Sequence, residues 1–229
     1  MIIFSSCTAR KRDDISIPKG AITIQPTDYL DDKNLIKKLS QTRQQILEDP
    51  KAHIGTRSTY AFDLYVNTGN AYRELRAKYY ERIKSLLISR KIEWFFLSGG
   101  YGIINALEPA KKYQATFNRS ISYMKKIPFT ANLWRENLTE ICENIIAKVN
   151  PERLYTFGSQ DYTNFVKKTH FWKSLSEERI GIKIFESTGS AGPYWISKIL
   201  GELAEYTEKN NLDLFDEKYP RFIKQMNKN

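Results

Sequence analysis

Apolar positions recur with two periods along the chain, and the switches between them divide it into strands and helices. Short apolar runs at 1–4 (MIIF), 21–25 (AITIQ), 92–97 (IEWFFL), 153–158 (RLYTFG) and 180–187 (IGIKIFES) read as strands. Elsewhere the apolar residues fall three and four apart. Leu35, Ile36, Leu39, Ile46 and Leu47 predict a helix over 33–48 that Pro50 ends. Ala71, Leu75, Tyr79, Ile83, Leu86 and Leu87 predict a long helix from Gly69-Asn70 to Arg90. Trp134, Leu138, Ile141, Ile145 and Val149 predict a third over 131–149. Shorter helical patterns cover 162–168 and 194–208, residues 58–65 read as extended, and the last stretch of the chain reads as irregular.

Strands alternating with helices predict an α/β fold with a mixed or mostly parallel sheet flanked by helices. Without a linker, repeat or low-complexity stretch, residues 1–229 read as one domain. Ligands of open α/β sheets bind beyond the carboxyl ends of the strands. The turns after MIIF, WFFL, YTFG and KIFES all carry small polar residues, so parallel strands would bring four polar turns to one cleft.

Composition narrows the chemistry. Only two cysteines (Cys7, Cys142) and two histidines (His53, His170) occur, none at metal-ligand spacing, so neither a metal site nor a cofactor is expected. No apolar run approaches the roughly 18 residues of a membrane span, and no secretory pattern is visible, which predicts a cytoplasmic protein. Lys and Arg number 36 against 26 Asp and Glu, a formal charge of +10 spread along the chain. A distributed basic excess points to nucleic acid as the leading partner class, although simple solubility would also account for it.

Four segments combine this charge with site-like chemistry. In 95–118, Ser98-Gly99-Gly100 leaves backbone amides open, Tyr101 could stack on a base, and Glu108 is a carboxylate near the expected cleft. Lys111, Lys112 and Arg119 are candidates for DNA phosphates, and Asn118 ends the segment as a polar contact. A plain strand–loop connection would explain the same residues. In 5–12, Ser6, Cys7, Arg10 and Lys11 set hydroxyl, thiol and cations in one turn, as ligand contacts or as solvated surface. In 156–165, Gly158, Ser159 and Asp161 could meet a base edge, or Ser159 or Asp161 could cap the following helix. In 186–195, the turn around Gly189 and Ser190 is a candidate anion site or a helix cap, without P-loop spacing.

The residues Leu97-Ser98-Gly99, Tyr101-Gly102, Ile103-Ile104, Leu107-Glu108, Tyr113 and Phe117 resemble the YaaA family pattern of Leu-Ser-Gly-x-Tyr-Gly, an apolar pair, an acid and a later tyrosine. Phe62, Asp63 and Tyr65 are similar to a second family stretch, and Ser6, Ala9 and Lys11 occupy the place of its N-terminal motif. Lys112 stands where that pattern has proline, and the glycine before its aspartate is missing at Phe62. The resemblance implies a YaaA-like fold and a DNA-binding protein with a basic cleft, with Tyr113 among its site residues.

The most concrete expectation is an N-glycosidase that releases a modified or damaged base from DNA. Such an enzyme extrudes the nucleotide, stacks the base, holds phosphates and uses a carboxylate at the sugar. Asp63 and Glu108 are the catalytic candidates, with Asp161 third. Tyr65 and Tyr101 would stack, and Arg10, Lys11 and Ser98 would bind phosphate or the leaving base. A non-catalytic YaaA-like DNA-binding stress protein and a nucleotide- or nucleoside-processing enzyme are the alternatives.

Overall fold

The computed structural model describes residues 1–68, 70–135, 137–175, 182–186 and 192–220. Strand β1 (Ile2–Ser6) leads through α1 (Lys33–Leu47), β2 (Ser58–Tyr60), α2 (Ala61–Val66), α3 (Arg73–Lys78) and α4 (Tyr80–Ile88) to β3 (Glu93–Ser98). Next come β4 (Gly102–Asn105), β5 (Pro109–Lys111), α5 (Arg119–Lys125), α6 (Ala131–Trp134) and α7 (Leu138–Val149). Then β6 (Leu154–Gly158), α8 (Gln160–Lys167), α9 (His170–Leu175), β7 (Ile182–Glu186), α10 (Gly192–Glu208) and α11 (Leu212–Lys218) follow.

The main sheet has the order β4-β3-β1-β6-β7. Strands β3, β1, β6 and β7 run parallel, and β4 returns antiparallel from β3 through a three-residue turn, Gly99–Tyr101. The fold is therefore α/β with a mostly parallel sheet, as the alternation of periods predicts. β2 and β5 form a separate two-stranded ribbon.

Side-chain alternation sorts the helices onto the two faces. Ser5, Trp94, Phe96, Tyr155, Phe157, Lys183 and Phe185 point to one face. There they meet Phe62 and Tyr65 of α2, Tyr72, Trp195 of α10 and Phe215 of α11. Phe4, Phe95 and Glu186 point to the other, against Tyr29 and Thr163 of α8. Both faces are covered, so β6 is buried throughout and β1 as far as Ser5, and only Ser6 at the end of β1 is half-buried.

Five expectations change. Residues 21–25 form no strand: Ile24 alone is buried, Ile22 is exposed, and one hydrogen bond from Ile24 N to Leu107 O takes the place of a ladder. Residues 58–65 are strand only to Tyr60, then helix, because Ala61 N and Phe62 N bond to Glu108 O and Ala106 O. The helix over 69–90 breaks at Tyr79, whose ring packs on Gly201 of α10, where a Cβ would lie 2.3 Å away. The helix over 131–149 is two, α6 and α7. Residues 212–218 are helical, since Leu212, Phe215 and Tyr219 fall on one face and Phe215 is fully buried.

Candidate functional site

Strand order reverses between β1 and β6. The chain leaves β1 toward β3 on one side and leaves β6 toward β7 on the other. Adjacent strands whose connections diverge open a crevice at their carboxyl ends. A cleft of about 380 Å³ lies there. Its floor is the turn Ser6–Lys11 and Ser159 at the start of α8; Tyr72 and Tyr162 wall it, and Thr116, Ile121 and Lys125 close the top.

The floor follows from local bonding. Cys7 N continues the β1–β3 ladder to Leu97 O at 2.8 Å. The chain then turns: Thr8 Oγ1 donates to Arg10 O at 2.6 Å, and Arg12 N bonds to Leu64 O at 3.1 Å. That turn exposes Arg10 and Arg12 and folds Lys11 between them into the protein. Tyr72 Oη reaches Ser6 O at 2.5 Å and Ser5 Oγ at 2.9 Å, holding the end of β1. Gly158 makes the close approach possible: it has φ +155°, and a Cβ there would lie 2.8 Å from Ser6 Oγ. Gly158→Ala is expected to lower stability by about 1–3 kcal/mol, read as a shift in denaturant midpoint.

Lys11 is the unusual group. It is 8% exposed, and among the described residues it makes no hydrogen bond or ion pair. Its Nζ sits 4.1 Å above the centre of the Tyr113 ring. Burial lowers its pKa to about 8; Lys112 and Lys125 push the same way and Cys7 opposes them. The other buried lysine differs: Lys183 Nζ donates to Asp216 O and Tyr219 O and pairs with Asp216 Oδ1 at 3.0 Å. Behind Lys11, the hydroxyls of Tyr65, Ser98 and Tyr113 bond to one another at 2.5–3.3 Å. Burial raises both tyrosines, so the cluster stays neutral and supplies no counter-charge.

An open basic depression adjoins the cleft. Ala9, Arg10, Lys11 and Gln114 line both, and Arg76, Lys112 and Tyr113 line the depression only. Lys11 therefore stands where the enclosed and the cationic spaces meet. From Pro109 to Arg135, the segment that roofs the cleft, the sequence has six basic residues and no acidic one.

The structure brings together Ser6, Cys7, Arg10, Lys11 and Ser159 at the cleft and adds Lys112 and Tyr113 at the depression. It separates the catalytic pair expected from sequence. Asp63 is buried on α2, where Tyr80 Oη donates to it and Lys84 Nζ lies 3.5 Å away. Glu108 is clamped by Arg43, whose Nη1 lies 2.6 Å from Oε1. Neither lines the cleft, because each neutralises a cation elsewhere. Tyr101 is also no stacking surface: it is buried, edge-on to Tyr113, and its Oη accepts from Lys111 N at 2.8 Å. Gly99 is not open for ligand, since a Cβ there would meet Ala115 O at 2.5 Å.

Asn118 caps α5 by accepting from Ile121 N and donates to Asp161 Oδ2 at 2.7 Å, so both are exposed or half-exposed outside the cleft lining. Ser159 is the N-cap residue of α8, without a side-chain capping bond. Lys111 and Arg119 are exposed and line neither space; Arg119 lies over Phe129. The turn at Gly189 and Ser190 lies outside the described residues. Sequence reasoning passed over Tyr72, Thr116, Lys125 and Tyr162; the acid-free run at 109–135 is the signal that would have found Lys125.

Among the described residues no helix is long and apolar enough to cross a membrane, and no group of three or more His, Cys, Asp or Glu could hold a metal ion. Compared with known proteins, the chain matches no family model and no curated protein.

Proposed function

We propose that the protein is a nucleobase-directed enzyme, an N-glycosidase acting on DNA, and that the β1/β6 cleft receives the extruded nucleotide. One observation carries this reading: a partly enclosed cleft of about 380 Å³ joins a depression lined by Arg10, Arg76 and Lys112. The enclosed part suits a base and sugar, in the range of small-ligand sites. The basic part suits the flanking phosphates, which Arg and Lys hold without reading sequence. With Asp63 and Glu108 engaged elsewhere, neither carboxylate acts at the sugar in this reading.

A second reading keeps the same site for a free nucleotide, favoured by the modest volume of the enclosed part. The test is base release from oligonucleotides carrying varied base modifications, read as alkali-labile strand breaks, beside release from the matching free nucleotides. The N-glycosidase reading expects breaks with the oligonucleotides that fall at least tenfold in Arg10→Ala/Arg76→Ala and persist in Asp63→Asn and Glu108→Gln. Release from free nucleotides only moves the function to nucleotide processing, and no release from either overturns both.

A further inference from the structure

We infer that Lys11 is the covalent nucleophile of this site, an amine that forms an imine with the C1′ aldehyde carbon of a pentose. The inference rests on the proposed nucleotide site and names its chemistry. Its ground is geometric. Lys11 is buried at the junction of the enclosed and cationic spaces, which is where the sugar lies when the base enters one and the phosphates the other. It has no carboxylate partner among the described residues, whereas the other buried lysine, Lys183, has one. An unpaired buried amine destabilises the fold; burial and the nearby Lys112 and Lys125 favour the neutral nucleophile, against the Tyr113 ring face, which favours the cation.

The step balances without an added oxidant or reductant. The Nζ lone pair attacks C1′, the C1′–N glycosidic bond breaks with its electron pair leaving on the base, and the proton lost from Nζ goes to the base. The nitrogen lone pair then forms C1′=N as the C1′–O4′ bond opens, and O4′ takes up a proton. Water adds to the iminium carbon and returns the free amine and the sugar aldehyde. The neutral hydroxyl cluster of Tyr65, Ser98 and Tyr113 lies behind the amine and offers no anion that would hold it protonated. The charged or titratable groups acting on Lys11 are Cys7, which favours its charged form, and Lys112 and Lys125, which disfavour it.

Two aldehyde probes test this directly: an oligonucleotide bearing an abasic site, and 2-deoxyribose 5-phosphate. Each is incubated with the full chain and sodium borohydride, and the reduced adduct is located by peptide mass mapping. The expected result is one adduct, on the peptide containing Lys11, absent from Lys11→Met and Lys11→Arg. Its formation rate should reach half its maximum near pH 8. At that pH an amine titrating at about 8 is roughly a hundredfold more often neutral than one at the ordinary value of 10.5. Adducts spread evenly over surface lysines, or a half-maximum near pH 10.5, would overturn the inference. Base release without any Lys11 adduct would overturn it too, while leaving the N-glycosidase reading intact. A Lys11 adduct with the sugar phosphate but no base release from DNA would support the amine and sink the DNA reading.

Discussion

Lys11→Met is expected to make the protein more stable at neutral pH, by about 3 kcal/mol. The pKa of Lys11 falls from 10.5 to about 8 on folding, and each unit corresponds to about 1.4 kcal/mol. Because the folded value is the lower one, the folded chain binds fewer protons than the unfolded chain between these limits, and stability rises with pH there. Below about pH 8 the whole penalty of a buried cation is present; above about pH 10.5 it is gone. Methionine keeps the apolar stem and removes the charge. The gain in melting temperature should be about 5–10 °C at pH 7 for a chain of this length, shrinking toward zero as pH passes 10. A melting curve of the variant that matches the wild type at pH 7 would show that Lys11 is solvated or paired in solution. A stabilising loss of a polar group is the mark of a side chain kept for something other than the fold.

The opposite sign is expected at Arg43. Its guanidinium leaves α1 to hold the β3–β4 hairpin and the chain beyond it: Nε bonds to Tyr101 O at 3.0 Å, Nη2 to Ile103 O, and Nη1 to Glu108 Oε1 at 2.6 Å. Both side chains are nearly enclosed, 15% and 7% exposed. Burial pushes the Glu108 carboxyl above its usual range, and Arg43 opposes that shift. Arg43→Met leaves a buried carboxylate with one backbone partner, Asn105 N at 3.3 Å. The expected loss is about 3–5 kcal/mol, read as a lower denaturant midpoint at unchanged slope. Arg43→Met/Glu108→Met should lose less than Arg43→Met alone, since the orphaned charge goes with its partner. If the two lose equally, the clamp acts through the carbonyls of Tyr101 and Ile103 rather than through the ion pair.

These two residues also show what a sequence discloses and what it hides. The spacing of Leu35, Leu39 and Ile46 announces α1, and all three are buried as the period requires. The apolar runs of β1, β3, β6 and β7 announce a covered parallel sheet, and their polar turns announce the edge where the cleft opens. Partnership is another matter. Glu108 reads as a site acid until Arg43, 65 residues away, claims it, and Asp63 until Tyr80 and Lys84 do, 17 and 21 residues on. Lys11 is a different case: flanked by Arg10 and Arg12, it reads equally as a ligand contact or as solvated surface, and of the three it alone is buried. The turn that buries it depends on Thr8 and on the carbonyls of Leu64 and Tyr65, contacts no local pattern encodes. The false strand at 21–25 has the right residues and lacks a neighbour to pair with.

The position of β1 in the sheet has a consequence for how the chain is born. A ribosome makes β1 before either of its neighbours, yet β1 ends up between them: Ile2 pairs with Glu93 on one side and with Leu154 on the other. The nascent segment must therefore wait, apolar and unpaired, until β3 (Glu93–Ser98) is made, and with one side still open until β6 (Leu154–Gly158) is made. Loop closure over such separations is slow and leaves exposed apolar surface open to association. The polar and basic stretch that follows β1, from Thr8 to Lys19, keeps the waiting strand short and its flank charged. The cleft takes lining from Ser159 and Tyr162, which follow β6, and from Ile196 of α10, so it is complete only once these late segments have been made and docked.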